Sequence, residues 1–272
     1  MIQDIYPSRL DNRFSDLKIS STDALMIFNE EGKLLVDTQS GNIRFPSVKE
    51  AAGLKNIYAF SVDKKRYFIA LSEFQPFDPL FEYKTLRELR DSFGGAELFA
   101  AFTAYHLWKW YTDNVYCGRC GNELVFHESE RALCCEKCRN VIYPRINPAV
   151  IVGVTKGDRI LITRYRRGYA HNALVAGFTE IGETLEQTVE REVMEETGVK
   201  VKNIRYYKSQ PWGMAQDMLV GFFCEAVGDG RIHMDENELK YAEWVRREDV
   251  VLQPSNASLT NEMMRVFKDG KI

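Results

Sequence analysis

The side chains best suited to chemistry are the glutamates of GFTEIGETLEQTVEREVMEETGV, residues 177–199. If this segment is helical, Glu192 and Glu196 lie one turn apart on one face, where a like-charge pair destabilises the helix by about 0.2–0.5 kcal/mol. Carboxylates near a helix C-terminus also face the unfavourable end of the helix dipole. Mg²⁺ or Mn²⁺ would reverse both effects, because these ions bind carboxylate oxygens, water and phosphate. The segment therefore indicates a divalent-metal site, and a solvated acidic face is the alternative.

A second group of candidate ligands consists of two Cys-x-x-Cys motifs, formed by Cys117, Cys120, Cys135 and Cys138. Each motif supplies two thiolates from one tight turn, and four thiolates complete the tetrahedron that zinc prefers. Since no coordination position then stays open, we expect a structural zinc ribbon rather than a catalytic centre. Cys134 is left out because only Cys135 makes a two-residue gap to Cys138. Cys224 lies in the apolar run GFFCEA and is expected to be buried as a small hydrophobic residue.

The elements that must position the glutamates can be predicted locally. Thr184 and, three residues later, Gln187 form a capping-box sequence that is typical of a helix start. Apolar residues recur every fourth position, at Leu185, Val189 and Val193. Gly198 is placed to end the helix. The sequence therefore predicts a helix over residues 185–197, with an apolar stripe that packs on a sheet.

Strands are predicted on both sides of that helix. Two of them, AVIVGVTKG and RILITRY, precede it around a turn at Gly157-Asp158, and NIRYYKSQ and DMLVGFFCEA follow it. A last helix is predicted over 259–267. In the first region, Gly94-Gly95 is expected to separate a short helix from a longer one ending near Tyr111.

Composition and charge exclude several classes of protein. Apolar residues make up 45% and charged residues 28% of the 272 residues, which is ordinary for a globular chain. A net charge of −3 disfavours a dedicated duplex nucleic-acid binder. The first residues do not resemble a secretory signal, and no run of about 18 apolar residues predicts a membrane span. We therefore expect a cytoplasmic protein with no membrane partner.

The glutamate segment also matches a longer pattern, G-x5-E-x7-R-E-V-x-E-E-x-G-V. The matching positions are Gly177, Glu183, Arg191, Glu192, Val193, Glu195, Glu196, Gly198 and Val199. This pattern closely resembles the box of the Nudix hydrolase family. The resemblance implies a metal-dependent hydrolase that splits a nucleoside diphosphate linked to another group.

The resemblance also implies roles for individual residues. It makes Glu192, Glu195 and Glu196 the catalytic glutamates, with Glu192 and Glu196 as the principal ligands of Mg²⁺ or Mn²⁺. The main chain of Ala176 and the carboxylate of Glu238 are implied as further ligands. Arg191 is expected to orient the glutamates through salt bridges.

Three features resemble one branch of the family, whose members split NADH and remove NAD caps from RNA: the ribbon before the box, Ser209-Gln210-Pro211-Trp212 after it, and Glu238. The similarity implies a homodimer that binds a dinucleotide or the 5′ end of NAD-capped RNA. Tyr143 is implied to contact the nicotinamide side, and Phe178 to stack on a base. The implied substrate contacts are Glu130, Tyr143, Phe178, Gln210, Pro211, Trp212, Gly213, Met214, Ala215, Gln216, Asp217 and Thr260.

One departure from the sequence pattern of this branch leaves more than one candidate substrate. The branch signature reads SQPWPFPxS, whereas this chain has SQPWGMAQD, so two prolines are lost and Asp217 adds a negative charge. NADH and NAD are the leading substrates, and ADP-ribose or another nucleoside diphosphate derivative is the alternative. A regulator that binds a nucleotide without cleaving it is a second alternative. Such proteins typically lose box glutamates, and this chain keeps them all.

These expectations define an α+β protein with three domains. Residues 1–112 form an N-terminal α/β domain for packing or dimerisation, and residues 113–143 form the zinc ribbon. Residues 144–272 form the Nudix domain, with a mixed sheet in an α/β/α sandwich.

Overall fold

A computed structural model describes residues 1–51, 53–72, 74, 78–167 and 171–272. The chain folds as two compact units. The N-terminal unit comprises Ile2–Arg145 together with Trp212–Gln216, and the C-terminal unit comprises Met1, Ile146–Pro211 and Asp217–Ile272. Both contain helices and strands, so the predicted α+β class is confirmed. None of the helices within the described residues combines the length and the apolarity needed to cross a membrane.

Among its described residues, the N-terminal unit contains nine short strands and two α-helices. The strands are β1 Leu10–Asp11, β2 Ala24–Met26, β3 Leu34–Val36, β4 Asn56–Val62, β5 Lys65–Ala70, β6 Glu82–Lys84, β7 Val125–Phe126, β8 Leu133–Cys134 and β9 Val141–Ile142. The helices are α1 Leu86–Ser92 and α2 Gly95–Asp113. They meet at Gly94-Gly95, as predicted. The strands form a sheet of order β1-β4-β5-β2, the pair β3-β6 and the ribbon sheet β7-β8-β9.

The C-terminal unit is built around one mixed sheet. Its elements are β10 Asn147–Lys156, β11 Arg159–Tyr165, β12 Val175–Phe178, α3 Leu185–Thr197, β13 Val201–Trp212, β14 Asp217–Ala226, β15 Leu239–Arg246 and α4 Leu259–Lys268. The strand order is β13-β14-β10-β11-β15, and β12 also pairs with β10. Strands β10 and β14 are parallel, whereas β10 is antiparallel to β11 and β12.

Alternating side chains of β10 separate the two faces of this sheet. Val150, Val152 and Val154 pack in one cluster with α3, which contributes Val189 and Val193. On the other face, the neighbouring Ile151 packs in a second cluster with α4, whose members include Met263, Met264 and Phe267. The predicted α/β/α sandwich is therefore confirmed.

Helix α3 begins and ends where the sequence predicts. The Thr184 hydroxyl accepts a hydrogen bond from the backbone of Gln187, whose side chain accepts one from the backbone of Thr184. At the other end, Gly198 adopts the left-handed conformation, with φ of 68°. The two caps fix the first and last residues of α3, and therefore the turn of the helix on which each glutamate lies. Cys224 is fully buried, also as predicted.

Candidate functional site

The three box glutamates at the end of α3 differ in their exposure to solvent. Glu196 is buried, with 2% of its surface exposed. The side chain of Glu192 is 12% exposed, and that of Glu195 is 60% exposed. The helix therefore turns Glu196 into the fold, holds Glu192 at the boundary and leaves Glu195 in solvent.

The environment of Glu196 favours its neutral form. Burial is the main cause that raises its pKa, to about 8, and the charges of Glu192 and Glu238 raise it further. Hydrogen bonding to the Tyr165 hydroxyl and to the backbone of Ala176 acts in the opposite direction. The pKa of Glu192 is also raised, again mainly by burial. Two desolvated carboxylates that repel each other are costly without a cation, so this pair suits a divalent metal.

Arg191 organises the other acidic side chains. Its guanidinium donates to both carboxylate oxygens of Glu183, at 2.6 and 2.9 Å. It also donates to Glu192 at 2.8 Å and to Glu195 at 3.0 Å. A further hydrogen bond, of 2.9 Å, reaches the carbonyl oxygen of Phe178 on β12. The predicted role of Arg191 in orienting the glutamates agrees with these contacts.

Glu183 is held ionised as part of this arrangement. Its hydrogen bond to Arg191 is the main cause that lowers its pKa, to about 2. The backbone of Glu180 and the hydroxyl of Thr188 also donate to it, both at 3.0 Å. Glu183 therefore neutralises Arg191 and anchors it, while the remaining guanidinium donors reach Glu192 and Glu195.

Strand β15 brings Glu238 towards the same place through an irregular register. Arg164 pairs with Tyr241, but Tyr165 pairs with Leu239, so Lys240 is an extra residue in β15. Such bulges redirect side chains and are frequent beside active sites. Glu238, just before β15, accepts a backbone hydrogen bond from Arg166 at 2.9 Å. Its charge raises the pKa of both Glu192 and Glu196, so these three predicted ligands lie within electrostatic reach of each other.

The carboxylates do not converge into a closed cage. Within the described part of the chain, only the four cysteines bring three or more candidate ligand atoms within 4.8 Å of one another. An open carboxylate arrangement is compatible with Mg²⁺, which keeps several waters and takes only one or two carboxylates together with substrate phosphates.

The cysteine cluster has the geometry of a four-thiolate site. Cys117 and Cys138 have their sulfur atoms 3.6 Å apart, and those of Cys120 and Cys135 are 3.5 Å apart. A zinc tetrahedron with bonds of about 2.3 Å has edges of about 3.8 Å, so these separations fit zinc. Cys134 is not a member of the cluster, as predicted.

The two Cys-x-x-Cys motifs of the ribbon form the same backbone turn. The backbone N–H of Gly121 donates to the carbonyl oxygen of Cys117, and that of Arg139 donates to the carbonyl oxygen of Cys135, both at 2.8 Å. Gly121 and Arg139 both adopt positive φ, of 72° and 58°. The repeated turn directs all four thiols to one point, which is the arrangement that a structural zinc ion requires.

The predicted substrate residues fall into separate groups. Tyr143 donates to Glu130 at 2.7 Å, so the fold brings these two residues of the ribbon together. Phe178 lies at the end of β12 and is 52% exposed. Its own carbonyl oxygen accepts the hydrogen bond from Arg191. Thr260 lies in the first turn of α4, on the sheet face opposite α3.

Gln210 is engaged inside the fold. Its side-chain amide donates to the carbonyl of Ala257 at 2.8 Å and accepts from the backbone of Leu259 at 2.6 Å. This fully buried amide therefore holds the start of α4.

The segment that departs from the branch signature packs on α2 within the N-terminal unit. The rings of Trp212 and Phe102 are 5.2 Å apart. A Cβ on Gly213 would come within 2.0 Å of the carbonyl oxygen of Phe102, so the close approach requires glycine. Gln216 accepts a hydrogen bond from Arg145 at 2.5 Å. The remaining predicted contacts there are the half-buried Pro211 and Met214, the exposed Ala215 and the buried Asp217.

Sequence reasoning missed Tyr165, whose hydroxyl contacts both Glu196 and Ala176. The alternation of side chains along β11 could have indicated it. Tyr165 shares a strand face with Leu161, which packs in the cluster under α3. A tyrosine at the end of a buried strand that faces an acidic helix is a candidate donor to that helix.

The carboxylates of Glu192 and Glu196 therefore form an open site at the end of a helix, on one face of a mixed sheet. Residues 145–267 match the family model described as the NUDIX domain. A crystal structure of a NUDIX hydrolase from Nitrosomonas europaea aligns with a TM-score of 0.50 and 20% identity, covering 57% of this chain and 90% of that chain. This likeness supports the fold.

Curated relatives give a closer sequence match. The chain is 42% identical over 159 residues to proteins named NAD-capped RNA hydrolase NudC from Escherichia coli O1:K1 / APEC and from Escherichia coli strain SMS-3-5 / SECEC. The matches cover 57% of this chain and 61% of each relative. The chain thus aligns with about three fifths of the length of these relatives.

Proposed function

We propose that this protein is a divalent-metal-dependent hydrolase that cleaves the pyrophosphate bond of NADH or NAD, giving NMN(H) and AMP. The observation that carries the proposal is the buried carboxylate of Glu196 beside Glu192 and Glu238, an acidic group that needs a cation. The similarity to the NAD-capped RNA hydrolases supports the dinucleotide as substrate and extends the proposal to the 5′ end of NAD-capped RNA.

In this proposal, the metal ligands are Glu192, Glu196, Glu238 and the carbonyl oxygen of Ala176. Bound Mg²⁺ or Mn²⁺ would neutralise charge on the pyrophosphate and activate a water molecule for attack on phosphorus. One guanidinium nitrogen of Arg191 donates to the carboxylates of both Glu192 and Glu195. Glu195 is the most exposed of the three glutamates, and it serves as the third catalytic glutamate.

The substrate contacts remain those implied by the family resemblance. The exposed ring of Phe178 is suited to stacking on a base, because an aromatic ring buries a large flat apolar surface. Tyr143, hydrogen-bonded to Glu130, is assigned to the nicotinamide side. We further propose that zinc stabilises the ribbon, that residues 1–112 serve packing or dimerisation, and that the enzyme is a cytoplasmic homodimer.

The proposal is tested by product analysis. Purified protein is incubated with NADH, NAD or a 5′-NAD RNA oligonucleotide and with Mg²⁺ or Mn²⁺, and the products are separated by chromatography. We expect NMN(H) with AMP from the dinucleotides and a 5′-monophosphate from the RNA. Glu196→Gln should lower kcat/KM by about 100-fold or more, because it removes a charged metal ligand. Glu186→Gln, at an exposed position of the same helix, should leave the rate unchanged.

A second candidate substrate is ADP-ribose, which would give AMP and ribose phosphate. The observation in its favour is the sequence SQPWGMAQD, in which Gly213 replaces a proline of the branch signature and Asp217 adds an acidic group. The ratio of kcat/KM for NADH to that for ADP-ribose decides between the two. A ratio of one or less favours ADP-ribose, and intact substrates throughout would refute both candidates.

A further inference from the structure

One hydroxyl group links the most buried box glutamate to the main chain of β12. The hydroxyl oxygen of Tyr165 accepts a hydrogen bond from the backbone N–H of Ala176 at 3.0 Å. The same oxygen lies 2.9 and 3.1 Å from the two carboxylate oxygens of Glu196, and 3.3 Å from the carbonyl oxygen of Ala176. Tyr165 has one proton to donate, and the shorter distances direct it to Glu196.

This assignment leaves the carbonyl oxygen of Ala176 available to another partner. The N–H of Ala176 is satisfied by Tyr165, whose proton goes to the carboxylate of Glu196. The carbonyl oxygen of Ala176 and the carboxylate of Glu196 are then neighbours, because both lie within 3.3 Å of the same hydroxyl oxygen. A hard divalent cation prefers oxygen ligands of these two kinds.

Tyr165 is the main hydrogen-bonding partner of the Glu196 carboxylate, and the backbone of Ala176 makes a smaller contribution. The charged side chains that affect it are Glu192 and Glu238, and both are acidic. Among the side chains that the structure describes, Tyr165 is the one that donates a hydrogen bond to the Glu196 carboxylate. Without that donor, the buried carboxylate would keep its repulsive neighbours and lose its hydrogen bond from a side chain.

Strand geometry gives the ring of Tyr165 a fixed position. Tyr165 is the last residue of β11, and the pairing with β15 shifts by one residue at this point. The shift places Leu239 opposite Tyr165 and leaves Glu238 immediately beyond the paired residues. The same register shift therefore lies beside both Tyr165, which donates to Glu196, and Glu238, whose charge acts on Glu196.

We propose that Tyr165 is a positioning residue that presets Glu196 and the carbonyl oxygen of Ala176 as two ligands of the same divalent cation. This inference rests on the proposed function, because it assigns Tyr165 a role at that metal site. Hydrogen-bond partners that orient metal ligands typically contribute 10- to 100-fold to metal affinity or activity. Tyr165 acts through Glu196 and touches no reacting atom.

The test compares Tyr165→Phe, which removes only the hydroxyl oxygen, with Tyr241→Phe. Tyr241 is a matched control, because its hydroxyl donates to the carboxylate of Glu243 at 2.9 Å and it lies on the neighbouring strand of the same sheet. Mn²⁺ binding to the zinc-loaded protein is measured without substrate, from the EPR signal of free Mn²⁺. We expect about tenfold weaker or still weaker Mn²⁺ binding for Y165F and no change for Y241F.

A turnover measurement separates positioning from loss of folding. The Mn²⁺ concentration that gives half-maximal NADH cleavage should rise in Y165F by the factor seen in binding, and saturating Mn²⁺ should restore most of kcat. If Y165F folds poorly by circular dichroism, Tyr165→Met replaces it, because methionine adapts to irregular apolar space and also lacks the hydroxyl.

The outcomes distinguish this inference from the proposed function. If the wild-type protein binds Mn²⁺ and cleaves NADH while a folded Y165F protein binds Mn²⁺ equally well, Tyr165 has no positioning role. An equal loss of affinity in Y241F would also overturn the assignment. If the wild-type protein neither binds Mn²⁺ nor cleaves any dinucleotide, the proposed function fails first.

Discussion

The carboxylate of Glu192 occupies the space in which a side chain on Gly177 would lie. A Cβ built on Gly177 would come within 1.9 Å of the carboxyl carbon of Glu192, and within 2.0 and 2.2 Å of its two oxygens. Gly177 pairs with Val150 in the middle of the β10–β12 ladder, so the strand cannot easily move away. The first glycine of the box is therefore required by the position of a proposed metal ligand.

Gly177→Ala should consequently displace Glu192 rather than unfold the domain. Moving a catalytic group by about 1 Å can cost about 100-fold in rate, so we expect kcat/KM for NADH to fall by about tenfold or more. Steady-state kinetics at saturating Mn²⁺ check this. Gly94→Ala is the control, since a Cβ there meets no atom within 4 Å. Wild-type activity in G177A would show that the observed Glu192 position is not the active one.

Arg191→Lys tests whether the planar guanidinium is needed, or only its charge. Arg191 reaches Glu183, Glu192, Glu195 and the main chain at the same time, and a lysine ammonium cannot reproduce this fork. We expect activity to decrease by about 10- to 100-fold through poorly oriented metal ligands. Arg205→Lys, at an exposed position on β13, should behave as wild type. Full activity in R191K would reduce the role of Arg191 to charge neutralisation.

Local sequence signals predicted the parts of the site that depend on neighbours in the chain. The capping box and Gly198 define α3 within a few residues of each end, and its bounds were predicted correctly. The spacing of the cysteines similarly identifies the four members of the cluster and excludes Cys134. In both cases the prediction depends on residues a few positions apart, whose relative placement is determined by the local backbone geometry.

The remaining features depend on contacts between distant parts of the chain. The hydrogen bond from Tyr165 to Glu196 joins residues 31 positions apart, and its geometry depends on a shifted strand register that no local pattern reveals. Gln210 likewise holds the start of α4, 49 residues away. The sequence pattern placed Gln210 among substrate contacts, and only the packing shows that its amide is already engaged.

Replacing one ribbon cysteine should remove zinc, whereas replacing its neighbour should not. Cys135→Ser deletes one of the four converging thiols, so we expect less than one tenth of the wild-type zinc content and a lower Tm for the ribbon-containing unit. Cys134→Ser is the matched control because Cys134 lies outside the cluster. Zinc is measured by plasma mass spectrometry after gel filtration. Equal zinc content in the two variants would contradict the four-cysteine assignment.

The raised pKa of Glu196 predicts how stability depends on pH when divalent metal is absent. The folded value is about 8, and the ordinary value is 4.5. Between these values the folded state holds more protons than the unfolded state, so stability decreases as pH rises from about 5 to 8. This one group contributes at most about 1.4 kcal/mol per pH unit. Glu183 does not mask the effect, since its pKa of about 2 makes its contribution constant across this range.

Glu196→Gln removes this titration and keeps an acceptor for the Tyr165 hydroxyl. In EDTA, the free energy of unfolding should therefore decrease less steeply from pH 5 to 8 in E196Q than in the wild type, and E196Q should be the more stable protein at pH 8. Mn²⁺ should reverse that order above pH 8, because the cation binds the ionised carboxylate that only the wild type has. Urea unfolding at several pH values, with Glu186→Gln as control, measures both effects. Parallel pH profiles for E196Q and the wild type in EDTA would show that Glu196 is already ionised without a metal, and the argument that its burial calls for a cation would fail.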